Sequence, residues 1–115
     1  MRSPFTGMLE ALTRQRGVMA SLVVGESDGM IVDSHLQVGQ EGDRVAALAA
    51  SLYRKARLAA GAAGLGEATF MQLEAERGRL CACGRNDLVL VVVAHSAANV
   101  GLIRVEMLKA LGGLA

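Results

Sequence analysis

Leu88 to Ala94 (LVLVVVA) is seven residues without a single polar side chain, and this run limits the fold more than any other stretch. It falls far short of the roughly 20 apolar residues that a membrane-spanning helix needs, and it matches the length of a strand. Successive side chains of a strand point to opposite faces. A strand that is apolar on both faces therefore belongs in the middle of a sheet, buried from both sides. The remainder of the chain has to provide its neighbours and its cover.

The elements around it follow from periodicity and punctuation. Phe5, Met8, Leu9 and Leu12 recur at helical spacing, so a first helix is predicted from about Pro4 to Gln15, closed by Gly17. Val18 to Gly25 reads as a strand, Glu26-Ser27-Asp28-Gly29 as a turn in which Asp-Gly supplies positive φ, and Met30 to Ser34 as the return strand. A polar loop from His35 to Gly42 leads to Asp43, placed to cap a long helix running to about Gly64. Ala68 to Glu74 alternates like a strand, Glu76-Arg77-Gly78 turns into Arg79 to Gly84, and Gly84 to Asp87 turns into the apolar run. Ser96 or Asn99 opens a last helix through Leu111, stopped by Gly112-Gly113.

The resulting order is α-β-β-α-β-β-β-α, an α/β chain of the α+β kind. It predicts one domain over residues 1–115, with a five-stranded antiparallel sheet and the long helix across one face. The strand at 88–94 goes in the middle beside 18–24, which leaves 30–34 and 68–74 at the two edges.

Two features of this arrangement look unfinished for a solitary chain. The long helix is apolar or small nearly all round, whereas a surface helix needs only one apolar stripe. Stepping 100° per residue puts Val45, Leu48, Ala49, Leu52, Ala56, Ala59, Ala60 and Ala63 on a core face. Ala47, Ala50, Ser51, Arg54, Leu58 and Gly61 then form a second, close-approach face. The edge strand that follows is apolar and free of Pro, so its outer N–H and C=O groups would go unpaired. Pairing that edge with its own copy across a two-fold axis, through Thr69, Phe70, Met71 and Gln72, would also bring the two long helices together. A homodimer through these residues is the expectation, against the plainer reading of an Ala-rich surface helix. Arg44, Lys55 and Arg57 flank the helix, and no carboxylate occurs between Arg44 and Gly66. They are read either as a solvated face or as a contact for an acidic partner surface.

Composition removes several function classes. Net charge is +1 and aromatics are 3% of 115 residues, which argues against nucleic acid and against flat cofactors. No cofactor or metal is expected. Cys81 and Cys83 lie two apart in a strand and share a face, a spacing that would strain a disulfide, so both are read as reduced and the protein as cytoplasmic. Gly61, Gly64 and Gly66 have GxxGxG spacing after a helix and carry no Gly-Lys-Ser/Thr, so they are a helix stop and not a phosphate loop. His35 and His95 lie in separate segments and assemble no nucleophile–base set, so no catalytic residue is assigned. A small-molecule sensor of related shape would need a roomy pocket.

Several motifs, in order, carry a family resemblance. They are the opening helix followed by Gly17-Val18, the hairpin SDGMIV at 27–32, the Ala/Leu-rich helix, LVLVVVA at 88–94, and NVGLIR at 99–104. From about Met8 to Leu111 the chain resembles the roadblock family of small dimeric domains, which includes dynein light chains and bacterial regulators of Ras-like GTPases. The resemblance implies a roadblock/profilin-like homodimer. It also implies a non-enzymatic adaptor that binds and regulates a Ras-like small GTPase; on such a partner, Arg54 or Arg57 is the candidate for an inserted arginine, a reading of the helix and not of the family. The alternative it implies is a purely structural, light-chain-like subunit of a larger motor or signalling complex. The family offers no shared catalytic residue.

Overall fold

The apolar run does form the middle of a sheet. A computed structural model describes residues 3–37, 39–112 and 114. Val38 of the expected 35–42 loop and Gly113 of the expected helix stop lie outside them. The elements are α1 (Thr6–Thr13), β1 (Val18–Gly25), β2 (Ile31–Leu36), α2 (Gly42–Ala62), β3 (Met71–Ala75), β4 (Gly78–Arg85), β5 (Leu88–Ala94) and α3 (Val100–Leu111). The sheet order is β2-β1-β5-β4-β3, antiparallel throughout, as the sequence predicts. His35, expected in a loop, instead lies in β2, which runs two residues further than anticipated.

Alternation along β5 divides the interior into two cores. Leu90, Val92 and Ala94 point to one side and meet Leu9 and Leu12 of α1 and Ile103 and Met107 of α3. Val89 and Val91 point to the other, against Ala46, Ala49, Ala50 and Tyr53 of α2. Cys81 and Cys83 share the α1/α3 side and are free thiols, while Ala82 between them faces α2. Burial pushes both thiols up, Cys83 to about 12.

A bulge in β1 is needed to serve both cores. Val18 pairs with Ala94 but Ala20 pairs with Val93, so Met19 is an extra residue. Val18 and Ala20 therefore face opposite sides, although their spacing of two would ordinarily put them on one. A buried hydroxyl pair fastens α1 to this strand. Thr13 Oγ1 and Ser21 Oγ each donate to the Leu9 carbonyl at 2.8 Å and lie 2.7 Å apart.

The helix ends have local causes. Asn99 Oδ1 accepts from the Leu102 N–H at 3.0 Å and opens α3. Asp43 does not cap α2: the helix starts one residue earlier, Glu41 occupies the cap position without a side-chain bond, and Asp43 sits in the first turn. There its carboxylate still lies at the positive end of the helix dipole. At the far end, Leu65 N–H donates to the Ala60 carbonyl at 2.9 Å and Gly64 N–H to that of Gly61 at 3.1 Å. This Schellman pattern requires the φ of +74° that Gly64 supplies. The β4–β5 turn uses Asn86 and Asp87 at φ 54° and 63°, a two-residue hairpin that matches strand twist.

Candidate interaction surface

Small residues decide which side of α2 meets the sheet. Ala46, Ala49 and Ala50 are fully or almost fully buried, which lets the helix approach β1, β4 and β5 closely. Tyr53 follows them, its ring resting on bare backbone at Gly84. A Cβ at Gly84 would fall 2.7 Å from the ring, so only glycine fits beneath it. Burial raises the pKa of the Tyr53 hydroxyl, opposed by a hydrogen bond to the Gly84 backbone.

This corrects the expected faces by roughly a quarter turn of the helix. Leu48 and Leu52 were placed in the core and are outside, with Leu48 57% exposed. Ala50 was placed at the second face and is 2% exposed within the chain's own core. Hydrophobicity ranks leucine as the better core residue, but a helix this near the sheet takes small side chains at 46, 49 and 50 and a large one only at Tyr53, over Gly84. The outward face consists of Arg44, Leu48, Ser51, Leu52, Lys55, Leu58 and Ala59, with Leu58 58% exposed. Ala47 and Gly61 are exposed on its flanks.

The arginines are also redistributed. Arg54 donates to the carbonyls of Glu26 (3.2 Å) and Ser27 (3.3 Å), and Arg57 forms a 2.7 Å ion pair with Glu26. Both tie α2 to the β1–β2 loop. The hydrogen bond to Glu26, more than any other influence, raises the pKa of Arg57 further. Both expected contact residues, Arg57 for a partner and Arg54 for the interface, are thus engaged within the chain itself. Arg44 is exposed and pairs with Glu41 at 3.4 Å, and Lys55 is exposed.

The edge strand follows this helix in the chain and closes the sheet on the far side of β4. β3 pairs with β4 from Met71↔Ala82 to Ala75↔Gly78, and no strand pairs with its other side among the described residues. Met71 packs on the α2-side core. Leu73, two residues on and so on the same side, is 47% exposed. Sequence reasoning missed Leu73, although its spacing from Met71 was the available signal. Gln72 is exposed, and Thr69 is exposed ahead of the strand. Phe70 belongs elsewhere: it packs against the α1/α3 core, with the Arg104 guanidinium 5.4 Å from its ring centre. Alternation sends it away from α2, so of the edge residues named from sequence it fits the helix-side contact least.

The opposite edge is furnished differently. In β2, the Asp33 carboxylate accepts from Ser3 Oγ, from Thr6 Oγ1 at 2.9 Å, and from the Ser34 N–H at 2.8 Å. The start of α1 is thereby fastened across that edge.

His35 and His95 are both exposed and lie on different elements. Among the described residues, no three or more His, Cys, Asp or Glu side chains gather into a metal-binding group, and no helix is long and apolar enough to cross a membrane.

Comparison with known proteins agrees with this geometry. The family model described as the Roadblock/LC7 domain matches residues 6–94. An uncharacterized protein of Methanocaldococcus jannaschii is 30% identical over 103 residues, covering 90% of each chain. Among solved structures, a Roadblock/LC7 domain from Streptomyces avermitilis superposes with TM-score 0.84 at 21% identity, over 94% of this chain and 92% of that one. The gliding protein MglB from Thermus thermophilus gives 0.84 at 20% identity, over 100% and 90%. MglB from Myxococcus xanthus gives 0.82 at 22% identity, over 97% and 94%.

Proposed function

Because the chain belongs to the Roadblock/LC7 domain family, we propose that it works as a homodimeric, non-enzymatic adaptor that binds and regulates a Ras-like small GTPase. The supporting observation is the coincidence of an unpaired strand edge with an outward apolar helix face. Among the described residues no strand pairs with the outer side of β3, and Leu48, Leu52 and Leu58 of α2 and Leu73 of β3 are exposed. A two-fold axis beside β3 would continue the sheet into a second copy and set the two α2 helices side by side. Covering the exposed half of each leucine contributes about 1 kcal/mol, and symmetry counts every one twice. The proposed interface keeps Ala47, Ser51, Leu58, Gly61, Met71 and Gln72 from the sequence reading and adds Leu48, Leu52 and Leu73.

The paired helices would form a broad platform bearing Arg44 and Lys55 and little negative charge, suited to an acidic partner surface. Such a platform biases a GTPase by holding one arrangement of its switch loops more tightly than another. With Arg54 and Arg57 engaged at the β1–β2 loop, it acts by positioning and not by inserting an arginine.

The test mixes purified protein with Ras-like GTPases from the same genome in their GDP-bound and GTP-analogue-bound states. It measures binding, hydrolysis and nucleotide exchange. The expected result is a nucleotide-dependent affinity together with a changed rate. Binding that ignores the nucleotide would favour the structural-subunit reading. No binding at all, or a stable monomer at micromolar concentration in light scattering, would overturn the proposal.

A further inference from the structure

A groove of about 740 Å³ opens where α1 ends and α3 begins, on the side of the sheet away from α2. Its shape comes from small residues. Gly17, at φ +88°, presses so close to Ala98 that a Cβ there would lie 2.8 Å from the alanine methyl group. The His95 N–H donates to the Gly17 carbonyl at 2.8 Å and fixes the two segments together. Ala97 and Ala98 then leave a shallow floor, which continues onto Leu102 of α3, a side chain 47% exposed. This volume lies within the roughly 300–1,000 Å³ of ordinary ligand clefts.

Arg16 is the one Lys, Arg, Asp or Glu among the lining residues, and the His95 and Gln15 side chains line the groove with it. None of the lining residues is a carboxylate, and Arg16 makes no ion pair among the described residues. Asn99 also lines the groove, but its Oδ1 is committed to the Leu102 N–H. The groove thus pairs an apolar floor with an unneutralised guanidinium and two further hydrogen-bonding side chains.

We propose that this groove docks a short acidic–apolar segment of a partner protein. An aliphatic or aromatic side chain would cover Ala97, Ala98 and Leu102, while a neighbouring Asp or Glu carboxylate meets Arg16. Charge complementarity selects this occupant. A basic segment would meet Arg16 with like charge, and a bare anion would leave the apolar floor wet. Under the proposed function, on which this step rests, a second copy of this chain is assigned to α2 and β3, on other parts of the molecule. A dimer would therefore carry two such grooves, both open, and could hold a peptide while its helices engage a GTPase.

The probe is a phage-displayed library of random short peptides, selected on the full-length protein. Enriched peptides are then titrated by fluorescence anisotropy. Enrichment of Asp or Glu beside Leu, Ile, Phe or Val is expected. Arg16→Glu should weaken binding at least about fivefold, the order of a surface ion pair. Arg16→Lys should keep most of the affinity, and Ala97→Trp should abolish binding by filling the floor. Each variant is checked by thermal melting and light scattering for unchanged fold and oligomeric state. Leu73→Lys, at the proposed dimer edge, should bind the peptides normally, which separates this proposal from the adaptor reading. Selection of basic or uncharged peptides, no enrichment, binding that survives Arg16→Glu and Ala97→Trp, or full competition by inorganic phosphate would each overturn it.

Discussion

The two edges of the sheet are built from short strands of six and five residues and finished in opposite ways. At β2, α1 packs alongside and Asp33 gathers three donors, from Ser3, Thr6 and Ser34, so the strand is anchored to its own chain. At β3, the chain arrives through the exposed segment after Gly64 and leaves Gln72, Leu73, Glu74 and Ala75 uncovered. Its only charged ornament is the Arg79–Glu74 pair at 3.1 Å, which faces back toward β4. One edge terminates the sheet, and the other offers it for extension. Natural sheets protect edges that must stay single, and the unprotected edge is the one to which the proposed association is assigned.

The sharpest way to break this contrast is Leu58→Glu. It places an unpaired charge in the proposed helix–helix contact and should weaken dimerisation by about 3 kcal/mol or more, or over a hundredfold. Sedimentation against concentration reads this directly, and a dimer of unchanged affinity would move the interface off α2. Next, Asp33→Ala strips the acceptor from Ser3, Thr6 and Ser34, and should lower unfolding stability by about 1–3 kcal/mol while leaving the dimer intact. Urea unfolding at fixed protein concentration measures it, and a neutral result would mean that β2 needs no anchor. Leu73→Lys and Val32→Lys then put the same charge on the two edges at side chains of nearly equal exposure, 47% and 48%. The first should cost the dimer about 1 kcal/mol, and the second should change neither dimer nor fold beyond about 0.5 kcal/mol. Equal effects from the pair would erase the distinction between the edges.

The smallest effect is expected at high pH. Cys83 ionises near 9.0 when unfolded but is pushed up to about 12 by burial on the α1/α3 side. A raised thiol pKa favours the neutral form in the fold. Its contribution is therefore intact below pH 9 and is lost progressively as pH rises from 9 toward 12. Cys83→Ser should flatten part of that alkaline decline, read as melting temperature against pH.

Much of this was legible in the chain. LVLVVVA required a central strand, and the spacing of turns required two antiparallel units joined by a helix, so element order and sheet order both followed. The rotation of α2 did not. Periodicity locates an apolar stripe but cannot rank two adjoining stripes on one helix, and here close approach to the sheet preferred alanine to leucine. The roles of Arg54 and Arg57 were equally hidden. They depend on Glu26, about thirty residues earlier, coming beside α2, and no local pattern encodes that meeting. Phe70, expected inside an edge strand beginning at Ala68, lies just ahead of a strand that begins three residues later, at Met71, and its ring packs against the α1/α3 core.

The contact between Tyr53 and Gly84 reaches further than its own packing. A ring packed against naked backbone helps to fix the azimuth of α2, as a key sets a shaft, and so bears on where Leu48 and Leu58 point. A side chain at position 84 would displace the ring and with it the helix, turning those leucines away from the proposed contact. The geometry of assembly is thus written partly at a residue in β4 that no second molecule ever has to touch.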